Sequence, residues 1–297
     1  MPESVVLLAN PAAGSGRSRR LASRALALLE ARDLAVETVT SRGPGHLADV
    51  AAAEAERGRG RLIALGGDGT VSEVARGLLR VPGAVTALGI VPLGTGNDFV
   101  KSAGLPRDWR VACRRLAARF VPRQVDAGRV NGHWFVNGVG LGFDAAIVRA
   151  TLRYKWLPGP LGYAAGLLGA LRAGVGHPTC TLRWDGGEDR RAVTLVAACS
   201  GQYAGGLFRL APGAMLDDGH LDIVWADALS RLQVLRLAPG VIRGTHERSA
   251  ATHRARSPWL HVESDSPLPA QADGELLGND LVTLSITLSP GALRLWT

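Results

Sequence analysis

The chain has 297 residues, 46% hydrophobic and 20% charged, a balance that fits a folded globular protein and excludes intrinsic disorder. Its length suits two modest hydrophobic cores better than one oversized core. The formal charge of +8 favours anionic partners: nucleotide phosphates, anionic lipid head groups or nucleic acid. Lys101 and Lys155 are the only lysines, so the basic character is carried by arginine. Cys113, Cys180 and Cys199 are too scattered for a disulfide framework or a zinc site, which fits a reducing cytosol. The opening Met1-Pro2-Glu3-Ser4 lacks the basic region of a secretory signal. The longest uncharged stretches, 81–97, 156–171 and 192–208, are interrupted by Gly or Pro and fall short of a bilayer span. A soluble chain without a transmembrane segment is expected.

In chain order, the apolar run 4–9 predicts a buried parallel strand. The break Asn10-Pro11 is followed by an amphipathic helix over 17–32, with Leu21, Ala25, Leu28 and Leu29 on one face. A strand is predicted over 34–40, a helix over 46–57 and a strand over 61–65. That strand closes in Gly66-Gly67-Asp68-Gly69-Thr70, with helix from Val71 to Leu79. A fourth strand, 88–92, closes in Leu93-Gly94-Thr95-Gly96-Asn97-Asp98, and helices follow at Phe99 and over 108–120. Strands alternating with helices across short loops imply a parallel α/β sheet.

Near Val121 the pattern changes. Segments 125–130 and 133–137 flank Asn131-Gly132, the strongest short hairpin signal. Helices are predicted over 144–154 and 161–173, then strands over 179–184, 192–199, 220–225, 259–263, 268–272 and 281–288. The reading is two domains: an α/β domain over 1–124 and a mostly antiparallel β-rich domain over 125–289. Residues 290–297 are expected to return to the first domain as an edge strand.

The two glycine-rich turns follow two apolar strands of one sheet, at the edge where open α/β sheets collect ligands. Glycine lets the backbone approach a phosphate, and the N–H groups of the next helix point at it. Asp68 and Asp98 sit in the same turns, where a carboxylate near phosphates implies a metal ion or an oriented donor. Either turn alone reads equally well as a tight strand–helix connection with an Asp cap; the pair points to a magnesium–nucleotide site. Other phosphate motifs fail. Gly14-Ser15-Gly16-Arg17-Ser18 has neither the spacing nor the lysine of a Walker A loop, and Gly138-Val139-Gly140-Leu141-Gly142 follows a hairpin strand with no ribose-binding acid about 20 residues on. No zinc-type His pair, nucleophile elbow or groove-reading basic motif occurs, which argues against nucleic acid as a partner.

Asn10-Pro11, the Gly66–Thr70 turn with Glu73, and Pro92-Leu93-Gly94-Thr95-Gly96-Asn97-Asp98-Phe99 resemble the signature of the diacylglycerol kinase catalytic family. The resemblance continues through Phe135-Val136-Asn137, Gly140-Leu141-Gly142-Phe143-Asp144, Asp217-Asp218-Gly219-His220-Leu221-Asp222 and Asp273-Gly274-Glu275, and so spans nearly the whole chain. It is nearest the bacterial soluble lipid kinases, relatives of the sphingosine and ceramide kinases. It implies a three-layer N-terminal domain like those of phosphofructokinase and NAD kinase, joined to a C-terminal β-sandwich, with ATP and Mg2+ as cofactors in the cleft between them.

By match, Asn10, Thr40, Gly66, Gly67, Asp68, Gly69, Thr70, Val71, Ser72, Glu73, Gly94, Thr95, Gly96, Asn97 and Asp98 would surround the nucleotide. Asp273 matches the general base for the lipid hydroxyl. Glu275, two residues on, is expected to share an extended-strand face with it as a second catalytic carboxylate, one acting as base while the other orients it or binds Mg2+. Asp218, with the carbonyls of Met215 and His220, matches a second metal position. Arg17, Arg19 and Arg20 suit phosphates or lipid head groups, or simply a solvated helix face. The stretch 156–171, bordered by Arg153, Lys155 and Arg172, suits lipid docking or a packed helix, and Trp109, Trp134, Trp184, Trp225 and Trp259 read as core or edge residues.

The expected activity is transfer of the ATP γ-phosphate to a lipid hydroxyl, that of diacylglycerol or a relative. A nucleotide kinase of the NAD-kinase kind and a lapsed kinase that senses nucleotide or lipid are the alternatives. The expected setting is cytoplasmic and peripheral at the inner membrane face, with a homodimer left open.

Overall fold

The computed structural model describes residues 5–13, 17–154, 157 and 159–297. Ser4, the residues 14–16, Lys155, Trp156 and Pro158 lie outside the described set, as does the side chain of Arg17. The chain divides into two compact units, Met1–Asp126 with Gly291–Thr297, and Ala127–Pro290.

In the first unit, strands β1 (Val5–Ala9), β2 (Val36–Thr40), β3 (Arg61–Gly66) and β4 (Ala87–Pro92) are parallel in the order β2-β1-β3-β4. The last residues of a long strand, β13 (Glu275–Trp296), add to β4 in parallel through Arg294↔Ala87 and Leu295↔Leu88. Strands β1 and β4 are buried along their whole length, as a sheet covered on both faces requires. Helices α1 (Arg17–Glu30) and α5 (Trp109–Ala118) pack with Val5, Leu7, Ile63, Val91 and Trp296 in one core.

The strand order reverses between β1 and β3. Right-handed crossovers therefore carry α1 and helix α2 (His46–Glu56) to opposite faces. This opens a crevice at the carboxyl edge of the sheet, where Asn10 and Gly66-Gly67 lie. Helix α3 begins at Asp68 and runs to Leu79, so Asp68, Gly69 and Thr70 form its first turn rather than a loop. The reason is local: Gly67 is extended and its carbonyl accepts the N–H groups of Thr70 and Val71 at 3.0 and 3.1 Å.

The second unit is a mostly antiparallel β-sandwich. Strands β5 (Pro122–Val130) and β6 (His133–Phe135) form the expected hairpin, with Asn131 at φ 47° and Gly132 at φ 85°. Strands β7 (Gly138–Gly142), β8 (Thr179–Trp184), β9 (Gly187–Cys199) and β12 (Trp259–Ala272) make a closed circuit, because β8 and β7 each pair with both β9 and β12. The register of β12 shifts between Glu263 and Leu268, beside Pro267, so the two strands expected over 259–263 and 268–272 are one strand bent at bulges. Likewise 281–288 and the expected last strand, up to Trp296, belong to the single strand β13.

Strand β10 (Leu221–Asp227) pairs with β9 and with an edge strand, β11 (Thr252–Ser257). Val139, Leu141, Val196, Ile223, Leu260, Leu284 and Ile286 form the core. Helices α6 (Phe143–Thr151), α7 (Gly159–Ala173) and α8 (Arg231–Arg243) complete the unit. Strands β7 and β11 and helix α8 have no counterpart in the expectations from sequence. Among the described residues, no helix is long and apolar enough to cross a membrane.

Candidate functional site

The two glycine-rich turns of the first unit touch backbone to backbone. A Cβ on Gly94 would lie 2.5 Å from the Gly67 Cα, and one on Gly67 would lie 3.0 Å from the Gly94 Cα. The Leu93 N–H donates to the Gly66 carbonyl at 2.7 Å. Asn97 takes the left-handed conformation (φ 51°) and its side-chain amide donates to the Gly94 carbonyl at 2.9 Å. Gly69 differs from its neighbours: it is exposed, and a Cβ there would meet nothing within 4 Å. The first turn of α3 also has no side-chain cap. An uncapped helix start beside an open glycine is the arrangement that admits an anion.

Thr70, Val71 and Ser72 are buried, and the Thr70 and Val71 N–H groups already donate to the Gly67 carbonyl, so Gly69 is the exposed residue of this turn. Thr40 and Thr95 are exposed with free access to solvent, and the Asn10 side chain accepts the Ala12 N–H at 3.0 Å. Glu73 is a tie within the fold: its buried carboxylate accepts the Leu47 N–H at 3.1 Å, at the start of α2, whose preceding Gly45 supplies no side-chain cap. Arg19 and Arg20 are exposed on α1.

Asp68 joins the two turns. It accepts the Phe99 N–H at 3.2 Å and is also hydrogen-bonded by the Asp98 and Asn97 backbone, so it caps the short helix α4 (Asp98–Ser102) from the neighbouring turn. Asp98 pairs with Lys101 at 2.8 Å, both side chains being almost wholly buried. Burial and, after it, the Asp98 charge push the Asp68 carboxyl up to about 6. Burial likewise pushes Asp222 up to about 6.

A raised carboxyl holds its proton in the folded chain where the unfolded chain has released it. Stability from these groups is therefore fully present below about pH 4 and is lost as pH rises through about 6. Thermal melting without nucleotide should show Asp68→Asn gaining on the wild type between pH 4.5 and 6.5. A pH-independent difference between the two would contradict this assignment.

In the second unit, Asp273 and Gly274 form the two-residue turn between β12 and β13, with φ of 49° and 84° and Ala272 opposite Glu275. This is the geometry of a tight primed hairpin turn, which Asp-Gly favours. Glu275 therefore does not share an extended-strand face with Asp273, because that alternation needs extended backbone at Asp273. The Asp273 carboxylate accepts three backbone N–H groups: Val136 at 2.9 Å, Asn137 at 2.9 Å and Gly138 at 3.1 Å. Its own N–H donates to the Gly138 carbonyl at 2.9 Å. Glu275 is exposed and Asp273 half-buried.

The Asp218 carboxylate accepts the His220 N–H at 3.0 Å and pairs with Arg256. The His220 ring meets the Asp218 carbonyl at 2.8 Å. Among the described residues there is no cluster of three or more His, Cys, Asp or Glu able to hold a metal, a set that leaves aside the backbone carbonyls of Met215 and His220. The Arg256 guanidinium supplies positive charge to Asp218 and lies 3.8 Å from Asp222 as well, so two carboxylates share it.

Sequence reading missed a cavity in the second unit. About 600 Å³ of atom-free space, open solvent included, is lined by α6, α7, α8, Thr194 and Leu195 of β9, Leu229 and the segment from Ala204 to Leu210. Its lining is apolar except for Asp144, Tyr163 and Thr194. Helices α7 and α8 turn Leu161 and Leu168, and Leu232, Leu235 and Ile242, outwards to solvent. The described part of the 156–171 stretch thus both packs, through Ala170 and Leu171 of the same helix, and exposes apolar side chains. Of the tryptophans, Trp109 and Trp225 are buried and Trp259 is exposed, while Trp296, unremarked in the sequence, is in the core of the first unit.

Residues 4–130 match the model of the diacylglycerol kinase catalytic domain, and residues 137–297 that of the YegS C-terminal NAD kinase beta sandwich-like domain. The chain is 35% identical over 269 residues to a Chromohalobacter salexigens protein named "Probable lipid kinase YegS-like", covering 88% of this chain and 83% of that protein. It is 31% identical over 278 residues to a diacylglycerol kinase of Mycobacterium tuberculosis, covering 91% and 88%. A solved structure of a diacylglycerol kinase from Bacillus anthracis superposes with a TM-score of 0.75 at 21% identity, covering 99% of this chain and 97% of that one.

Proposed function

The chain belongs to the diacylglycerol kinase catalytic family and is a lipid kinase; from that premise we propose how its residues divide the reaction. The ATP phosphates lie against Gly66–Gly69 and the uncapped start of α3, with Gly94–Asn97 supporting the turn from behind. Mg2+ would be held by Asp68, whose carboxyl is raised by burial and then by the Asp98 charge, with Asp98 beside it already paired with Lys101. Magnesium when bound neutralises charge on the phosphates, and phosphoryl transfer needs mainly such neutralisation and positioning. Asp273 accepts the proton of the lipid hydroxyl as its oxygen attacks. Its three backbone donors fix the carboxylate in one orientation, which is what a positioned base requires.

The acyl part of the lipid lies in the cavity of the second unit. Each CH2 moved there from water contributes about 0.8 kcal/mol, and an apolar lining suits a hydrocarbon chain far better than a dinucleotide. The exposed leucines of α7 and α8, beside Arg172, Arg231, Arg236 and Arg243, are the contact with an anionic membrane surface. Diacylglycerol, the substrate in the name of the Mycobacterium tuberculosis relative, is the acceptor this reading favours.

The observation that carries the nucleotide assignment is the open space over Gly69. Gly69→Ala meets no neighbour and replaces a helical glycine, so it should leave stability unchanged or raise it by up to about 1 kcal/mol. If phosphates rest there, the added methyl group should lower ATP affinity at least about tenfold, equivalent to about 1.4 kcal/mol. Calorimetric titration with ATP and Mg2+ checks this. Unchanged affinity in a variant that melts at or above the wild-type temperature would remove Gly69 from the cradle.

A further inference from the structure

Behind the Asp273-Gly274 turn lies a buried polar chain that no assigned role uses. Gln271, near the end of β12, donates through its amide nitrogen to Asp144 at 2.7 Å, and its amide oxygen accepts the Gly274 N–H at 2.7 Å. Asp144 stands in the first turn of α6 and is also hydrogen-bonded by Tyr163. Gln271 is 8% exposed and Asp144 6%. The packing is specific: a Cβ on Gly140, directly opposite Gln271 on β7, would lie 2.7 Å from the Gln271 amide nitrogen and would overlap Asp144.

We propose that Asp144 and Gln271 are positioning residues for the phosphoryl transfer, holding the Gly274 N–H so that the Asp273 turn keeps the conformation that aims its carboxylate. This rests on the reading of Asp273 as the base. In a two-residue hairpin the amide at the second turn position has no ladder partner, and Gly274 is exposed, so without Gln271 its N–H would turn to water and the turn would lose this tether. Asp273 itself sits at positive φ, a conformation an Asp-Gly turn favours but one that still costs a residue with a Cβ some free energy. Backbone donors from Val136–Gly138 hold the side chain from one side, and Gln271 holds the turn from the other.

Asp144 sets which way round the Gln271 amide lies. A group that accepts from the nitrogen leaves the oxygen facing Gly274. Burial raises the Asp144 carboxyl above its usual range, yet its Oδ2 still accepts from Gln271, and an Asn carbonyl at that position would accept equally well. Asp144 also lines the cavity, so the chain runs from the wall of the proposed acyl seat to the proposed base.

The test is Gln271→Met, which keeps the length of the side chain and removes both hydrogen bonds. Turnover should fall about 10- to 100-fold, as a displacement near 1 Å at a reacting group does. The KM for ATP should stay within twofold. Asp144→Leu should match it, the double variant should be no worse than either single one, and Asp144→Asn should restore most of the turnover. In the wild type the Gly274 amide should be protected from hydrogen exchange, and Gln271→Met should abolish that protection.

Wild-type turnover in Gln271→Met, fully additive losses in the double variant, or a fast-exchanging Gly274 in the wild type would each overturn the proposal. The last readout stands even if a variant fails to fold. Normal turnover in Asp273→Asn with Gly274 still protected would instead overturn the assignment of the base.

Discussion

Asp273→Asn should lower turnover by about 10²–10⁴-fold, the range that positioned general bases contribute, while ATP affinity stays near that of the wild type. Asparagine is the mildest replacement available. It tolerates the left-handed backbone at φ 49° as well as aspartate does, and its carbonyl can keep accepting the Asn137 and Gly138 N–H groups. Its NH2 group then faces the Val136 N–H, which loses its acceptor. That mismatch should destabilise the second unit by about 1–3 kcal/mol. The two effects separate in measurement: melting reports the lost hydrogen bond, and turnover at saturating ATP on the folded fraction reports the lost base. Turnover within twofold of the wild type would take Asp273 out of the chemistry.

Gly94→Ala should force apart the contact between the two glycine-rich turns. Its Cβ would fall 2.5 Å from the Gly67 Cα and 2.8 Å from the Asn97 Oδ1. Neither neighbour is the loose end of a side chain: one is backbone and the other is fixed by its hydrogen bond to the Gly94 carbonyl. The turns must part, at a cost of about 1–3 kcal/mol. Because Asp68 caps α4 across the same contact, parting them also disturbs the carboxylate proposed for magnesium. ATP affinity should therefore fall by more than tenfold, with a drop in melting temperature. Gly69→Ala, one turn away, should lose affinity without losing stability. If both variants bound ATP normally, the glycine-rich turns would be packing devices only.

Much of this was legible in the sequence, for identifiable reasons. Strands β1, β3 and β4 are short apolar runs ended by Pro or Gly, and a strand buried on both faces has little choice of composition. The Asn131-Gly132 hairpin carried its own signal.

What was missed had its cause elsewhere in the chain. Strand β7 is Gly-Val-Gly-Leu-Gly: Gly138 and Gly140 answer to packing against Cys199 and Asp144, and Gly142 to a positive φ of 70° where the chain enters α6. Helix α8 contains Pro239 and buries no residue completely, so its pattern reads as irregular. Its one clear sign was the capping box of Ser230 and Gln233. Strand β11, Thr-His-Arg-Ala-Arg-Ser, is a polar edge strand defined by its pairing with β10.

The site divided in the same way. The phosphate turns are local and were visible. The support of Asp273 comes from residues more than 130 positions earlier, and its Asp-Gly turn displaced the strand geometry on which the pairing with Glu275 had been argued. Asp218 shows that a matched residue keeps its place while its charge is met by another group, here Arg256.

The central claim is a lipid kinase whose two units divide nucleotide and lipid. Its most direct test is transfer of radiolabelled γ-phosphate from ATP and Mg2+ into micellar diacylglycerol, monoacylglycerol, phosphatidylglycerol, ceramide and sphingosine, with NAD as a soluble control. Label in at least one lipid, lost in Asp273→Asn, is the result expected. Label confined to NAD, or no label in any acceptor despite measurable ATP binding, would contradict it.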